Sequence, residues 1–249
     1  MSEPLLRLDG LHKAYGALKV TNGIDLAVLA GETHAVIGPN GAGKTTLIDQ
    51  IAGVLRPDAG RIRFAGRDVT DIGLPARARL GLARSFQLTR ILPQFTALEN
   101  VALAVQARSG SSYRFWHPAA RETALNIAAI EALEAVGLHP RTRVPAGSLS
   151  HGEKRRLELA ICLAQSPKLL LLDEPMAGAG AQETHGLIEM LRVLKHRCTI
   201  VLVEHDLQAV FALADRISVL VEGSILATGS PEAVRANPEV RAAYLGRAA

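Results

Sequence analysis

At 249 residues, 48% of them hydrophobic, the chain can bury a full core, and no charge-poor stretch in it is long enough to cross a bilayer. The apolar run Leu169 to Leu172 has the length of a strand. The net charge of +4 comes from basic residues scattered in pairs (Arg61/Arg63, Arg77/Arg79, Arg155/Arg156), which suits a solvated surface or a phosphate ligand better than a nucleic-acid stripe. The opening Met1-Ser2-Glu3-Pro4 has neither the basic nor the apolar region of a secretory signal, so a cytoplasmic location is expected. Cys162 and Cys198 lie within apolar patterns, where a free thiol behaves as a small buried hydrophobe, and no disulfide is expected.

Leu5 to Leu8 and Ile24 to Val28 read as strands between the turn residues Asp9-Gly10, Asn22-Gly23 and Ala30-Gly31. His34 to Ile37 is a short buried strand entering a glycine-rich loop, and a helix runs from Gly43 to about Ala52, closed by Gly53 and then Pro57. Arg61 to Phe64 reads as another strand, with Gly60 and Gly66 as its turns. From about Thr96 to Gly137 the pattern is helical, with Val101, Val105, Ile127, Ile130, Leu133 and Val136 around the polar loop Ser109 to Ser112. This is an inserted helical lobe. Downstream come a strand at Leu169 to Asp173, a helix from about Gln182 to His196, a strand at Thr199 to Glu204, a helix at Leu207 to Ala214 and a strand at Ile217 to Val221. A turn at Gly223 leads into a short strand ending at Gly229, and a helical tail starts at Pro231. Such alternation implies an α/β fold whose sheet is mostly parallel and covered on both faces, in one domain with two lobes.

Gly38-Pro39-Asn40-Gly41-Ala42-Gly43-Lys44-Thr45 fits the phosphate-binding P-loop pattern and stands in the required context, after a strand and opening a helix. Glycines let backbone N–H groups approach phosphate oxygens, and the helix N-terminus adds partial positive charge. Lys44 supplies a point charge for the β- and γ-phosphates, and Thr45 a hydroxyl ligand for Mg²⁺. The buried strand Leu169 to Leu172 delivers Asp173 and Glu174 at its carboxyl end, where ligands bind in open α/β sheets. Asp173 is placed to reach the Mg²⁺ shell and Glu174 to polarise an attacking water as general base.

Between these motifs lies Ser148-Leu149-Ser150-His151-Gly152-Glu153, which resembles the L-S-G-G-Q signature of ABC-transporter ATPases, with His151 and Glu153 as substitutions. Ser150 and Glu153 have the spacing of a capping box, so Ser150 should start a helix reaching about Ala164. In the family that helix N-terminus faces the γ-phosphate held by a partner subunit, so the resemblance implies that Ser150, His151, Gly152 and Glu153 complete a nucleotide site in trans. It further implies an adenine-stacking role for Tyr15, nucleotide contacts at Val20 and Thr46, contact of Gln87 with Mg²⁺ and the attacking water, and contact of a switch histidine, His205, with the γ-phosphate. The fold implied is a P-loop core with an antiparallel β subdomain (residues 1–87 and 166–249) and a helical lobe (residues 88–165).

The resemblance runs from Leu5 to Gly246. Arg84 to Gln87, Glu99-Asn100-Val101, Val203 to Asp206 and the tail Asn237-Pro238 to Gly246 are similar to the ATPases of branched-chain amino acid importers. Related cassettes power uptake of urea, short amides or other amino acids, or lipopolysaccharide export, so these alternatives stay open beside a non-transport ATPase and a subunit that binds ATP without hydrolysing it. The partners implied are a second ATPase subunit, membrane permeases docked near Gln87 to Gln94, and indirectly a solute-binding protein; nucleic acid is not among them. The chain would then work at the cytoplasmic face of the membrane. Two departures stand out. Met176-Ala177-Gly178-Ala179-Gly180 lacks the serine and the acid that the family usually places after the catalytic glutamate, so the usual polar contact across the dimer is missing. His151 replaces a glycine, and a protonated imidazole beside the partner's phosphates would make turnover depend on pH.

Overall fold

The computed structural model describes residues 3–85, 91–109 and 123–245. The chain opens with β1 (Leu6–Tyr15), β2 (Leu18–Val28), β3 (Thr33–Ile37), helix α1 (Lys44–Ala52), β4 (Ala59–Phe64), β5 (Arg67–Asp68), α2 (Leu74–Arg79) and β6 (Leu82–Arg84). Helices α3 (Ala97–Ser109), α4 (Thr123–Ala135) and α5 (His151–Ala164) follow. Next come β7 (Leu169–Asp173), α6 (Ala181–Leu194), β8 (Thr199–Val203), α7 (Leu207–Leu213), β9 (Arg216–Val221), β10 (Ser224–Gly229), and the tail helices α8 (Pro231–Ala236) and α9 (Pro238–Val240). Gln87 and residues 110–122, which include most of the polar loop, lie outside the described residues.

A six-stranded sheet has the order β10-β9-β3-β8-β7-β6, and a four-stranded sheet the order β2-β1-β4-β5. In the larger sheet β6, β7, β8, β3 and β9 are parallel and only β10 runs antiparallel. Because side chains alternate along a strand, each apolar run divides between two cores. Leu169 and Leu171 of β7, with Val201 and Val203 of β8, pack towards α1 and the smaller sheet. Leu170, Leu172, Ile200 and Leu202 pack on the other face with helices α3, α4, α5 and α6. A third cluster joins Ala35 and Ile37 of β3 to α7, β9 and the tail helices.

The structure corrects three expectations. Asp9-Gly10 and Asn22-Gly23 are not turns between short strands: β1 and β2 run through them, with register shifts between Leu8 and Leu11 and between Leu11 and His12. Gly60 likewise lies inside β4, at a φ of 92°, where an added Cβ would stand 2.2 Å from the Gly10 carbonyl oxygen, so the glycines permit a close strand crossing. Arg77 is not solvated. It is 1% exposed, and its guanidinium donates to five main-chain carbonyls, those of Gln50, Ile51, Val69, Thr70 and Ile72, at 2.6–3.2 Å. Two of them, Gln50 and Ile51, belong to the last turn of α1; the Gln50 carbonyl also accepts from the Gly53 cap N–H. Burial pushes the Arg77 pKa down to about 10.

Candidate active site

The carboxyl ends of β3, β8 and β7 stand side by side on one edge of the sheet, because these three parallel strands are consecutive in its order. Each releases a different piece of chemistry there: the glycine-rich loop after β3, His205 just past β8 and Glu174 just past β7.

The loop is gripped by main chain on both sides. A Cβ on Gly38 would lie 2.1 Å from the Leu220 carbonyl oxygen in β9, and one on Gly43 would lie 2.3 Å from that of Val20 in β2. Gly43 also holds a φ of 102°, open essentially to glycine alone. The Gly223 N–H donates to the Ala42 carbonyl at 3.0 Å, and the Asn22 N–H to the Gly223 carbonyl at 2.8 Å, so the three segments form one joint. Lys44 is buried and folds its ammonium back onto the Gly38 and Pro39 carbonyls at 2.8 and 3.0 Å. Desolvation pushes the Lys44 pKa down, partly offset by Glu174 and Asp173. Thr45 is exposed in the first turn of α1, and Thr46 is half-buried behind it. Tyr15 is 55% exposed where β1 turns into β2, with the Lys13 ammonium 5.7 Å from its ring centre.

Asp173 is buried at the end of β7. Its Oδ2 accepts from Arg84 at 3.3 Å, while its Oδ1 has no hydrogen-bond partner among the described residues. Arg84, on β6, also pairs with Asp49 of α1 and so ties the P-loop helix to the acidic strand. Burial raises the Asp173 pKa, and the Arg84 charge opposes that rise. An unpaired buried carboxylate oxygen is costly unless a cation or donor completes it, so the donor set formed by Asp173 and the Thr45 hydroxyl fits a hard cation such as Mg²⁺.

Glu174 occupies the left-handed region at φ 49°, with its N–H donating to the Val203 carbonyl at 2.8 Å. Its Oε1 stands 3.8 Å from His205 Nδ1, in reach for an attraction but too long for a hydrogen bond. Neighbouring Glu204 was not singled out by sequence reasoning. It is fully buried, and its carboxylate accepts the N–H groups of Met176, His205 and Asp206 at 2.7, 3.0 and 3.3 Å. An acid closing a run of buried aliphatic residues was the available signal.

Helix α5 begins with the expected capping box: Ser150 Oγ accepts from the Glu153 N–H at 3.3 Å, and Glu153 Oε2 from the Ser150 N–H at 2.9 Å. That backbone bond, with help from Arg141, holds the Glu153 pKa below its usual value. His151 is exposed at the first helical position. Gly152 leaves room for α6, since a Cβ there would stand 2.9 Å from Glu183 Oε1. Arg155 spans from α5 to Glu183 at 3.3 Å and to the Ala177 carbonyl at 2.6 Å. Lys44, Asp173, Glu174 and His205 are thus brought to one edge. Among the described residues no hydrogen bond or ion pair joins Ser150, His151, Gly152 or Glu153 to the P-loop.

The sequence pattern of the ABC transporter family matches residues 21–177, and that of the branched-chain amino acid ATP-binding cassette transporter matches residues 224–249. BraF of Pseudomonas aeruginosa, a high-affinity branched-chain amino acid transport ATP-binding protein, is 39% identical over 258 residues covering all of both chains. LivG of Escherichia coli K12, described in the same words, is 40% identical over 262 residues, again covering all of both. Among solved structures, the ADP conformation of MJ1267, an ATP-binding cassette of an ABC transporter, superposes with a TM-score of 0.85 at 30% identity, covering 98% of this chain and 100% of that one.

Proposed function

The chain belongs to the ABC transporter family, and we propose on that premise that it is the ATP-hydrolysing subunit of an importer of branched-chain or related amino acids. One observation carries the enzymatic part: the glycine-rich loop after β3, the Asp173 carboxylate oxygen unpaired among the described residues and the Glu174–His205 pair share one sheet edge. The cargo is supported by the two relatives named for branched-chain amino acid transport and by the C-terminal pattern.

In this mechanism the loop from Gly38 to Thr45 wraps the phosphates with its N–H groups, and Lys44 exchanges its carbonyl contacts for phosphate oxygens. Thr45, Asp173 and Gln87 would hold Mg²⁺, which when bound neutralises phosphate charge. Glu174 accepts a proton from the attacking water, and the exposed His205 imidazole hydrogen-bonds the terminal phosphate. Tyr15 stacks on the adenine, beside Val20, and Thr46 lines the phosphates. Ser150, with His151, Gly152 and Glu153, presents the N-terminus of α5 to nucleotide held by a second ATPase subunit, so hydrolysis needs two cassettes. Permease subunits anchor the pair at the cytoplasmic face of the membrane, and a solute-binding protein delivers the cargo.

Glu174→Gln is expected to lower hydrolysis by about 10²-fold or more while keeping ATP binding and stabilising an ATP-loaded dimer. Unchanged turnover would remove Glu174 from the role. For the cargo, uptake of labelled leucine, isoleucine and valine should stop in cells carrying only the Glu174→Gln chain, and continued uptake would point to a different solute.

A further inference from the structure

We propose that Glu204 is a positioning residue that locks the turn after Glu174 to the switch carrying His205, and that Arg155 extends this lock to helix α5. The proposal rests on the roles assigned above to Glu174, His205 and α5. Glu204 is fully buried, and among the described residues no Lys or Arg side chain forms an ion pair with it; His205 Nδ1 stands 3.7 Å from its Oε2. Its carboxylate oxygens are met by main chain instead. Oε1 accepts from Met176, 28 residues earlier in the chain, and Oε2 accepts from His205 and Asp206. Bonds to the backbone set the path of the chain itself, so they govern where the flanking side chains start.

Glu174 therefore has an anchor on each side. Its own N–H is tied to Val203, and two residues on the Met176 N–H is tied to Glu204. The same carboxylate fixes the His205 main chain, which leaves the Glu174 and His205 side chains 3.8 Å apart. On the far side of the turn the Ala177 carbonyl accepts from Arg155 of α5 at 2.6 Å, and Arg155 is steadied by Glu183 of α6. The segment Met176-Ala177-Gly178-Ala179-Gly180 has no polar side chain, so any force it passes on must travel through its backbone. Arg155 and Glu204 hold that backbone at neighbouring points, the Ala177 carbonyl and the Met176 N–H. The physical path runs from the head of α5 through Arg155, the Ala177–Met176 peptide and Glu204 to His205. Occupancy of the partner's site, sensed at Ser150, would by this path set the geometry of this chain's own hydrolytic pair. A turn without a serine or an acid can then still couple the two sites.

The test compares the full-length parent with Glu204→Gln, Arg155→Ala, the double variant, and Glu174→Gln as control. Glutamine keeps the shape of Glu204 but turns one acceptor oxygen into a donor, so one side of the lock opens. The expected result for Glu204→Gln is a fall of about 10-fold in kcat with KM for ATP within about 2-fold. Amide hydrogen exchange should rise in the peptides covering residues 174–179 and 204–208, with protection elsewhere unchanged. Arg155→Ala should lower kcat by about 3-fold, and the double variant should be no slower than Glu204→Gln alone, because both act along one path. Parental kcat in Glu204→Gln overturns the proposal. So does a joint loss of kcat, ATP affinity and protection throughout the chain, which would mark Glu204 as a residue of the core only. If Glu174→Gln is inactive and Glu204→Gln turns over like the parent, the lock alone falls; if Glu174→Gln turns over like the parent, the assigned hydrolytic pair falls and the lock with it.

Discussion

Arg77 is buried where a charge is ordinarily excluded, and the five carbonyls around its guanidinium are the reason it is tolerated. Arg77→Met removes the guanidinium donors from that nest and takes from the Ile51, Thr70 and Ile72 carbonyls the donor that meets them, while Gln50 and Val69 keep the Gly53 and Ile72 N–H groups. Arg77→Lys restores the charge but not the planar fork. Both variants should lose about 3 kcal/mol or more in urea unfolding, the lysine variant being no clear rescue. Gly43→Ala tests the other end of the same helix: its Cβ would collide with the Val20 carbonyl 2.3 Å away, and its φ of 102° is closed to alanine. Loss of binding of a fluorescent ATP analogue is expected, with a destabilisation of about 2–4 kcal/mol. Residues whose chemistry depends on spacing along the chain were legible in the sequence, as with Lys44, Thr45, Asp173 and Glu174. Arg77 and Glu204 were not, because their partners are main-chain groups brought together by tertiary packing, and nothing beside them in the sequence names those partners.

Helix α5 owes its start to local chemistry, and its capping box was correspondingly legible from the Ser150 to Glu153 spacing. Ser150→Ala should cost about 1 kcal/mol of stability. The Glu153 carboxylate adds a dependence on pH whose sign follows from its depressed pKa. A group held below its unfolded value stabilises the fold above the unfolded pKa, and that contribution disappears as pH falls through the folded value. Thermal midpoints of the parent and Glu153→Gln should therefore differ at pH 7 and converge on acidification below the ordinary carboxylate range. A gap that does not shrink on acidification would mean the Glu153 charge is not what stabilises the cap. The smaller sheet was harder to read. Asp9-Gly10, Asn22-Gly23 and Gly60 look like turn residues, and only pairing across strands reveals them as irregularities inside long ones. The three-residue β6 has no periodicity to detect, yet it carries Arg84 to Asp49 and Asp173.

The alternation of strands and helices announced a parallel sheet, but not that β8 lies between β3 and β7, the placement that sets His205 between the P-loop and Glu174. Strand order depends on which crossovers pack, and no local pattern encodes it. Nor did the sequence reveal how far the helical lobe is fused to the rest. One apolar cluster runs without a break from α3, α4 and α5 to alternate residues of β7 and β8 and on to α6 and α7. We therefore propose that the lobes unfold as one unit, and the two thiols can report it. Cys162 in α5 and Cys198 beside β8 both belong to that cluster, and burial pushes their pKa values up to about 12 and about 11. Neither should react with a thiol reagent at pH 8 in the native state. In a urea titration both should become reactive at one midpoint, coincident with the loss of far-ultraviolet circular dichroism. Labelling of Cys162 at clearly lower urea than Cys198 would show that the helical lobe opens alone; coincident labelling would mean that α5 cannot move relative to the sheet without straining a core they share, so that a push at Ser150 reaches the hydrolytic edge through packed side chains as well as hydrogen bonds.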